Sequence, residues 1–502
     1  MEEDLIQFGS EPPAPNYLYT GAGQWLAQPP RIAVIGGGPG GLFATYILNQ
    51  KFPQAEVTLF ESGDRLGGKI RTVRFEDGTP FEAGVAELYE YLGPGGKDPL
   101  RQLIEEDLGL ETNDMAGGCV VLGEKIIRDH DEFEQYFGAE ARKCLEDFHR
   151  KMAELMPLEK YANRWQPDNE HPWASETFRD LLLEETKDHP EVRRYVLAAI
   201  HSDLATEAHT CNGLNAIKNA LMDNDAYMQL YHIEGGIERL PLALSRRIKA
   251  DVRLGYRVCA LSTVRSLGGY YEVEWESGGA YNSAVFNGVV VAVPNHWLGQ
   301  ICWCCEPLEG KLQHTLEHYD LPAHYLRVSM NFSERWWTRL QIPGEFWMMD
   351  VYNGCCVYDE ERRWGEGPGH VLSFLIAGGD ALLNCAHGQS DECIVKELLR
   401  RLPSFMRCAE DYLIEAQVDR FAGSINAQPG GWPAEELEGE HYPDPEGHPR
   451  LVIVGDYLFD STLNAALISA NTAANLILKE FGIEPEPKTP AVAQLEPDGA
   501  TL

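Results

Sequence analysis

Three glycines and one acid carry the first chemistry legible in this chain. The apolar run Arg31-Ile-Ala-Val-Ile leads into Gly36-Gly-Gly38-Pro-Gly-Gly41, and a helix-like segment follows. A second apolar run, Val57-Thr-Leu-Phe, ends at Glu61, twenty residues after Gly41. A strand, a G-x-G-x-x-G turn, a helix and a second strand closing on an acid form the layout that holds a dinucleotide. Gly36 permits the tight turn, Gly38 lets backbone approach a pyrophosphate, and Gly41 lets the helix pack on the strand. The helix N-terminus then presents unpaired N–H groups and a positive partial charge to the phosphates. Glu61 is spaced to accept hydrogen bonds from an adenosine ribose.

The next segment narrows the dinucleotide. Arg65-Leu-Gly67-Gly68-Lys69-Ile-Arg-Thr72 resembles the R-x-G-G-R-x-x-[ST] motif of FAD-dependent amine oxidases, with Lys69 where that family commonly has Arg. The exchange keeps the charge and loses the planar fork. Glu234-Gly-Gly-Ile-Glu-Arg-Leu-Pro241, followed by Val252 to Val258, resembles the family's central helix and the strand whose backbone meets the adenine. Leu451-Val-Ile-Val-Gly455-Asp456 and Ser461-Thr-Leu-Asn-Ala-Ala resemble its closing flavin motif. The resemblance implies FAD held noncovalently, with Asp456 bonding the ribityl chain. It places backbone near Leu463 and Asn464 at the flavin N1–C2=O edge.

The same resemblance implies hydride transfer from a C–N bond of an amine or amino acid to flavin N5, with O2 as acceptor. It nominates three groups for the reacting end. Arg327, in Arg327-Val-Ser-Met-Asn-Phe332, takes the place of a flavin-facing Lys and keeps a fixed charge. Asn426 and Thr462 fall where many amine oxidases carry the two aromatic rings of a substrate cage, so that cage is expected to be missing or rebuilt from Trp432, Tyr457 or Phe459. Glu87, Tyr89 and Glu90 fall where amino-acid oxidases place a carboxylate-binding Arg, a position here close to Leu92. Acids and tyrosines there suit an ammonium or polyamine better than a carboxylate. Two other readings stay open at this point: a C–C desaturase or other flavin oxidoreductase acting on a neutral substrate, and a flavin-binding scaffold without catalysis. His296, beside the apolar run ending at Pro294, reads as a packed or surface histidine, and Glu435 to Glu440 as a solvated loop.

These groups need an α/β frame to bring them together. The expected fold is a Rossmann-like FAD-binding domain interleaved with a substrate domain of mixed sheet and helices. Residues 30–95, 231–310 and 415–482 would build the first, and 96–230 and 311–414 the second. Residues 1–29 would form an irregular arm and 483–502 a disordered tail. Helices are expected over Asp98–Glu106, Asp131–Glu154, Thr177–Glu185, Glu191–Ala199 and Ser390–Arg401, where apolar residues recur at three- and four-residue spacing. Strands are expected at Tyr270–Trp275, Val289–Val293, Leu326–Phe332 and Val371–Ile376. The 502 residues, 44% hydrophobic, are enough for two domains.

A formal net charge of −36 argues against nucleic acid or an anionic membrane as partner and is compatible with steering cations. No apolar run reaches membrane-spanning length, and the acidic start Met1-Glu-Glu-Asp lacks signal-peptide character, which points to the cytoplasm. The twelve cysteines, among them Cys302, Cys304, Cys305, Cys355 and Cys356, read as thiols without zinc-ligand spacing, so no metal is expected. The partner implied is a small-molecule substrate, and a homo-oligomer is left open.

Overall fold

The computed structural model describes residues 17–20, 24–27, 29–92, 97–162, 171–222, 224–264, 269–304, 322–364, 368–386, 388–427 and 441–484. Its first layer is a five-stranded parallel sheet. Strand β1 is Arg31–Ile35, β2 is Glu56–Glu61, β3 is Ala250–Leu254, β4 is Gly288–Val291 and β5 is Leu451–Ile453. They lie in the order β3-β2-β1-β4-β5, every neighbouring pair parallel. That is the doubly wound order, and its central strands must be apolar on both faces. Ile32 to Ile35, Val289 to Val291 and Leu451 to Ile453 are accordingly buried without alternation.

Helix α1, Pro39–Lys51, and helix α2, Leu463–Glu480, cover one face of this sheet. Alanines at 470, 473 and 474 let α2 pack closely into the core that α1 fills with Leu42, Phe43 and Leu48. The other face is closed by a four-stranded sheet, Ala280–Phe286, Tyr271–Ser277, Arg257–Thr263 and Cys302–Trp303, through Phe60, Trp275 and Phe286.

A second, seven-stranded sheet runs in the order Lys125–Ile127, Gly117–Leu122, Phe346–Met349, Cys355–Asp359, His370–Ala377, Pro322–Phe332, Leu413–Asn426. It is antiparallel except where Gly117–Leu122 meets Phe346–Met349. Asp391–Arg401 packs Leu398 and Leu399 against one face of it. Helices Ala139–Leu155, Phe178–Thr186, Pro190–Leu204 and Gly213–Ala220 form a further core with Phe148, Phe178 and Val196.

The expected helices form, with local differences. The helix foreseen over Asp131–Glu154 is two helices, His130–Phe137 and Ala139–Leu155, because Gly138 sits at φ +89° and breaks the backbone run. Ser390 and Thr177 stand just outside their helices as N-caps, accepting from Cys393 N and Asp180 N. Three segments sit differently from the domain boundaries expected above. Leu100, Leu103, Ile104 and Leu108 pack into the nucleotide-side core, since Pro99–Gln102 and its continuation lie beside α2. Leu413–Asn426 is an edge strand of the seven-stranded sheet. The N-terminal arm contains an antiparallel pair, Tyr17–Thr20 with Gln24–Ala27. The tail from residue 485 lies outside the described residues, while Ile483 still packs on the first core.

One buried acid joins these layers. Glu82, at the end of the strand Pro80–Glu82, is fully buried. Its Oε1 accepts from Ile237 N at 2.8 Å and its Oε2 from Thr72 Oγ1 at 2.9 Å. Burial raises its pKa to about 7, against the opposing pull of Arg363. The folded protein therefore holds one proton more than the unfolded chain between about pH 4.5 and 7. The stability from this group is complete below pH 4.5 and is lost as pH rises through 7. We expect the wild type to lose about 2–3 kcal/mol relative to Glu82→Gln between pH 5 and pH 8. Urea midpoints at the two pH values check this, and parallel pH profiles would contradict it.

Candidate functional site

The C-terminal ends of β1, β4 and β5 open onto one elongated cavity of about 570 Å³, which runs from the first sheet to the face of the seven-stranded sheet. At its nucleotide end stand Gly36, Gly38, Glu61, Gly68, Lys69 and Val258. The turn is built by contacts that no side chain would allow. A Cβ on Gly41 would lie 1.9 Å from the Gly36 carbonyl oxygen, and one on Gly36, at φ +107°, 2.3 Å from that of Ala292. Gly38 differs: a Cβ there would meet no protein atom closer than 4.0 Å and would project into the cavity. Gly38 is the N-cap of α1, supplies no side-chain cap, and is followed by no acid in the first turn. The leading N–H groups of α1 thus face a space the protein leaves open, which fits a diphosphate.

Glu61 is fixed by backbone. Its Oε2 accepts from Gly37 N at 2.7 Å and its Oε1 from Gly63 N at 2.6 Å, which holds the carboxylate at the cavity wall beside Val258. Arg65 and Gly67 do not line the cavity. The Arg65 fork is occupied by the carbonyls of Leu66, Ile70 and Gly68 at 3.1, 3.1 and 2.5 Å, so it shapes the loop that presents Gly68. Gly67 adopts φ +108° under Pro241. Lys69 does reach the cavity, donates to the Ser424 carbonyl, and pulls against the burial that raises the Asp456 pKa.

The closing motif meets the cavity from the other side. Gly455, Asp456, Thr462, Leu463 and Asn464 all line it. Gly455 has to be glycine because the Tyr457 ring would lie 2.0 Å from a Cβ. Thr462 is the N-cap of α2: its Oγ1 accepts from Ala465 N at 3.2 Å and donates to Asp460 at 2.7 Å. That capping task accounts for the residue type at a position on the cavity wall. The Asn464 amide donates to Tyr89 O at 2.8 Å and to both Asp98 oxygens, leaving its buried Oδ1 without a protein partner on the cavity wall.

The far chamber is framed by one face of the seven-stranded sheet. Arg327 lies opposite Leu375 on one neighbour and Asp419 on the other, and Tyr325 lies opposite Phe421. Period-two alternation therefore turns Tyr325, Arg327, Leu375, Phe421 and, one strand further, Tyr358 toward the cavity. Glu87 and Tyr89 face them, with Tyr89 Oη 3.5 Å from Glu87 Oε1. Burial, reinforced by nearby carboxylates including Glu87, pushes the phenols of Tyr89, Tyr325 and Tyr358 well above the ordinary tyrosine range, so all three are neutral.

Arg327 is 1% exposed and forms a buried pair with Glu360, also 1% exposed, at 3.0 Å. It also donates to Gly84 O at 3.2 Å and lies 4.7 Å over the Tyr358 ring. Arg363 approaches the same Glu360 at 3.7 Å and the same ring at 5.3 Å. Arg327 is thus both a cavity-wall cation and a structural ion pair.

The other expected residues sit in different surroundings. Glu90 points away from the cavity because Arg101 takes its carboxylate. Leu92 is outside the lining, bonded to Tyr227 O. Asn426 pairs with Pro322 through the sheet, and its neighbours Ser424 and Ile425 meet the cavity. Tyr457 and Phe459 belong to the core of the first domain, and Trp432 and Glu435–Glu440 fall outside the described residues. His296 lines a small adjoining cavity with Lys69 and Asp456. Conversely, Tyr325, Tyr358, Phe421, Tyr161 and Asp203 join the chamber without any sequence motif to announce them. Only strand alternation around Arg327 could have suggested Tyr325.

With this geometry in place, comparison with known proteins is decisive. The family of flavin containing amine oxidoreductases matches residues 39–478. The chain belongs to that family. The flavin-dependent L-tryptophan oxidase RebO of Lentzea aerocolonigenes is 27% identical over 46% of this chain, and the match spans 52% of that enzyme. The L-amino-acid oxidase of Pseudechis australis is 26% identical over 70% of this chain and 67% of its own. A putrescine oxidase bound to putrescine superposes with a TM-score of 0.68 at 18% identity, over 89% of this chain and 99% of that one. Cyclohexylamine oxidase from Brevibacterium oxydans gives 0.66 at 17%, over 90% and 99%. The two structures show a shared fold. Among the described residues no helix is long and apolar enough to cross a membrane, and no group of three or more His, Cys, Asp or Glu could hold a metal ion.

Two substitutions separate the roles in this site. Gly38→Val should fold, at a cost of about 1 kcal/mol for the poorer N-cap, yet purify without flavin. Gly41→Ala should lose much more stability, since its Cβ meets backbone. Thermal melts with the absorbance of bound flavin check both, and a flavin-loaded Gly38→Val protein would contradict the assignment. Glu360→Gln should cost about 3–5 kcal/mol by leaving Arg327 buried and unpaired, measured by urea unfolding. A change below about 1 kcal/mol would show that the pair is not structural.

Proposed function

We propose that the chain is an FAD-dependent oxidase that removes hydride from the carbon beside the nitrogen of a cationic or neutral amine, with O2 as final acceptor. The observation that carries this reading is the single cavity joining the glycine turn and α1 to a chamber walled by Glu87 and neutral tyrosines. FAD, bound without a covalent link, would lie along that cavity. Gly36, Gly38 and the start of α1 would hold its diphosphate, Glu61 and Val258 its adenosine, and Asp456 its ribityl chain. Leu463 and Asn464 would hold its pyrimidine edge. When bound, the flavin supplies the hydride acceptor and passes the electrons to O2.

The chain's own residues do the rest. Tyr89, Tyr325, Tyr358 and Phe421 line the chamber and would exclude water from the carbon that reacts. They serve the purpose of the cage that Asn426 and Thr462 cannot supply. The Glu87 carboxylate attracts an ammonium and orients it among those rings. Arg327 contributes a fixed positive charge to the cavity wall and cannot serve as a base. It is also a poor clamp for a substrate carboxylate, because Glu360, Gly84 O and the Tyr358 ring already engage its fork. This favours amines over zwitterionic amino acids, even though two of the relatives are amino-acid oxidases by name.

Peroxide release against a panel of monoamines, diamines and L-amino acids tests the reading. Amines should be turned over, and Glu87→Gln should raise KM for them about tenfold or more while changing kcat less, because it removes binding common to ground and transition states. Efficient turnover of L-amino acids, unaffected by Glu87→Gln, would overturn it.

A further inference from the structure

A second reactive feature lies on the strand Cys302–Trp303, directly after a stretch of the cavity lining. Trp297, 54% exposed, together with Gln300 and Ile301, lines the cavity, and Cys302 and Cys304 follow directly. Both thiols are exposed, and their sulfurs lie 3.4 Å apart. The closeness has a simple origin. Residues i and i+2 of a strand point to one face, so both side chains lean toward each other across Trp303. A disulfide needs Cβ atoms about 3.5–4.5 Å apart, so closing the bond draws Cys304 out of extended geometry. Backbone bonds hold the pair there: Cys304 N donates to Leu261 O at 2.8 Å, and the intervening Trp303 is buried with Nε1 on Leu298 O at 3.0 Å. The buried tryptophan anchors the strand and leaves the flanking cysteines on the outer face.

The other described cysteines contrast with this pair. Cys355 and Cys356 are buried, and burial pushes both thiols upward, Cys356 further raised by Glu87, so neither is primed to react. Cys393 is exposed on a separate helix, Asp391–Arg401.

We propose that Cys302 and Cys304 form a peroxide-reactive dithiol that closes to an intrachain disulfide. One thiol, as thiolate, attacks the O–O bond of hydrogen peroxide, giving a sulfenic acid and releasing hydroxide, which takes up a proton as water. The neighbouring thiolate then attacks that sulfur, forms the S–S bond and expels a second hydroxide, protonated to water. Two electrons pass from the two sulfurs to one peroxide, and two thiol protons leave in the two waters. The oxidant is hydrogen peroxide. The reaction proposed above would release it into the cavity lined by Gln300 and Ile301, just before the pair in the chain, and peroxide from any other source would serve equally.

The test uses the full-length flavin-loaded protein without amine, with added hydrogen peroxide, so its outcome does not depend on the oxidase reading. Intact mass should fall by about 2 Da, and dithiothreitol should restore it. Peptide mapping should place the link between Cys302 and Cys304. Two thiols should become unreactive to iodoacetamide together, at equal rates. Cys304→Ser should abolish the mass loss and leave a sulfenic acid at Cys302 that dimedone traps, and Cys302→Ser should leave the corresponding acid at Cys304. Three results would overturn the proposal: no mass loss, a link that instead includes Cys305 or joins two chains, or retention of the loss in either serine variant.

Discussion

The whole site depends on backbone approaching backbone at the end of β1. Three chain segments meet there within distances that exclude any side chain: α1 through Gly41, the turn through Gly36, and the residue after β4 through Ala292. Gly36 N also donates to Phe60 O at the end of β2, which fixes the turn against its neighbour. These contacts fix the direction of α1 relative to the sheet. The consequence is electrostatic as well as steric, because the partial charge and leading N–H groups of α1 are then aimed into the cavity. The doubly wound order brings β4 and β5 to the same edge, so Gly455 and the start of α2 arrive opposite α1. A helix N-terminus thus meets the cavity from each side of the switch point.

The second domain solves a different problem, that of holding charge in an apolar wall. Arg327, Glu360, Arg363 and Glu82 are all buried, and two guanidinium groups share one carboxylate and one tyrosine ring. An isolated charge in such surroundings costs several kcal/mol, so Arg327, Arg363 and Glu360 are tolerable only in one another's presence, while Glu82 is relieved by taking up a proton. The network brings together residues far apart in the chain: Glu82 before the chamber strand, Arg327 in the middle of the large sheet, Glu360 and Arg363 on a short helix after Asp359. It therefore ties the mouth of the nucleotide domain to the floor of the chamber. A cavity that must exclude water gains rigidity from such a lattice, because moving one partner strands another.

The two ends of the site differ in how far the sequence exposes them, and the reason is range. The nucleotide end is made by local turns and by strands buried on both faces, and both leave short-range patterns: Gly36 to Gly41, Glu61, the Val289 run and Leu451 to Asp456. All of these lie at or beside the cavity. The chamber is made by register between strands distant in sequence. Tyr325 meets Phe421 and Arg327 meets Leu375 only because three strands pair in one alignment, and nothing near any of these residues encodes that pairing. Glu87 and Glu90 illustrate the limit. They are neighbours in one strand region with the same side-chain chemistry, yet Arg101, eleven residues on, takes one while the cavity keeps the other. Thr462 shows the converse, a residue whose position in a motif suggested chemistry and whose hydroxyl is used by a helix cap.

That asymmetry bears on how such a chain can change substrate while keeping its cofactor. The contacts of Gly36 and Gly41 are backbone contacts, and almost any substitution there meets an atom that cannot move. The chamber positions are side chains on one face of a sheet, and each can be exchanged provided the strand pairing and the buried charges survive. In the proposed reading, a cage of aromatic rings absent at Asn426 and Thr462 would be supplied by Tyr325, Tyr358 and Phe421 without disturbing the frame. The same reasoning explains why Arg327 can stand where a lysine is common. Its larger fork needs partners, and Glu360 and the Gly84 carbonyl supply them from elements that the frame already holds in place. Arg327 is thus constrained less by the cavity it lines than by the wall behind it.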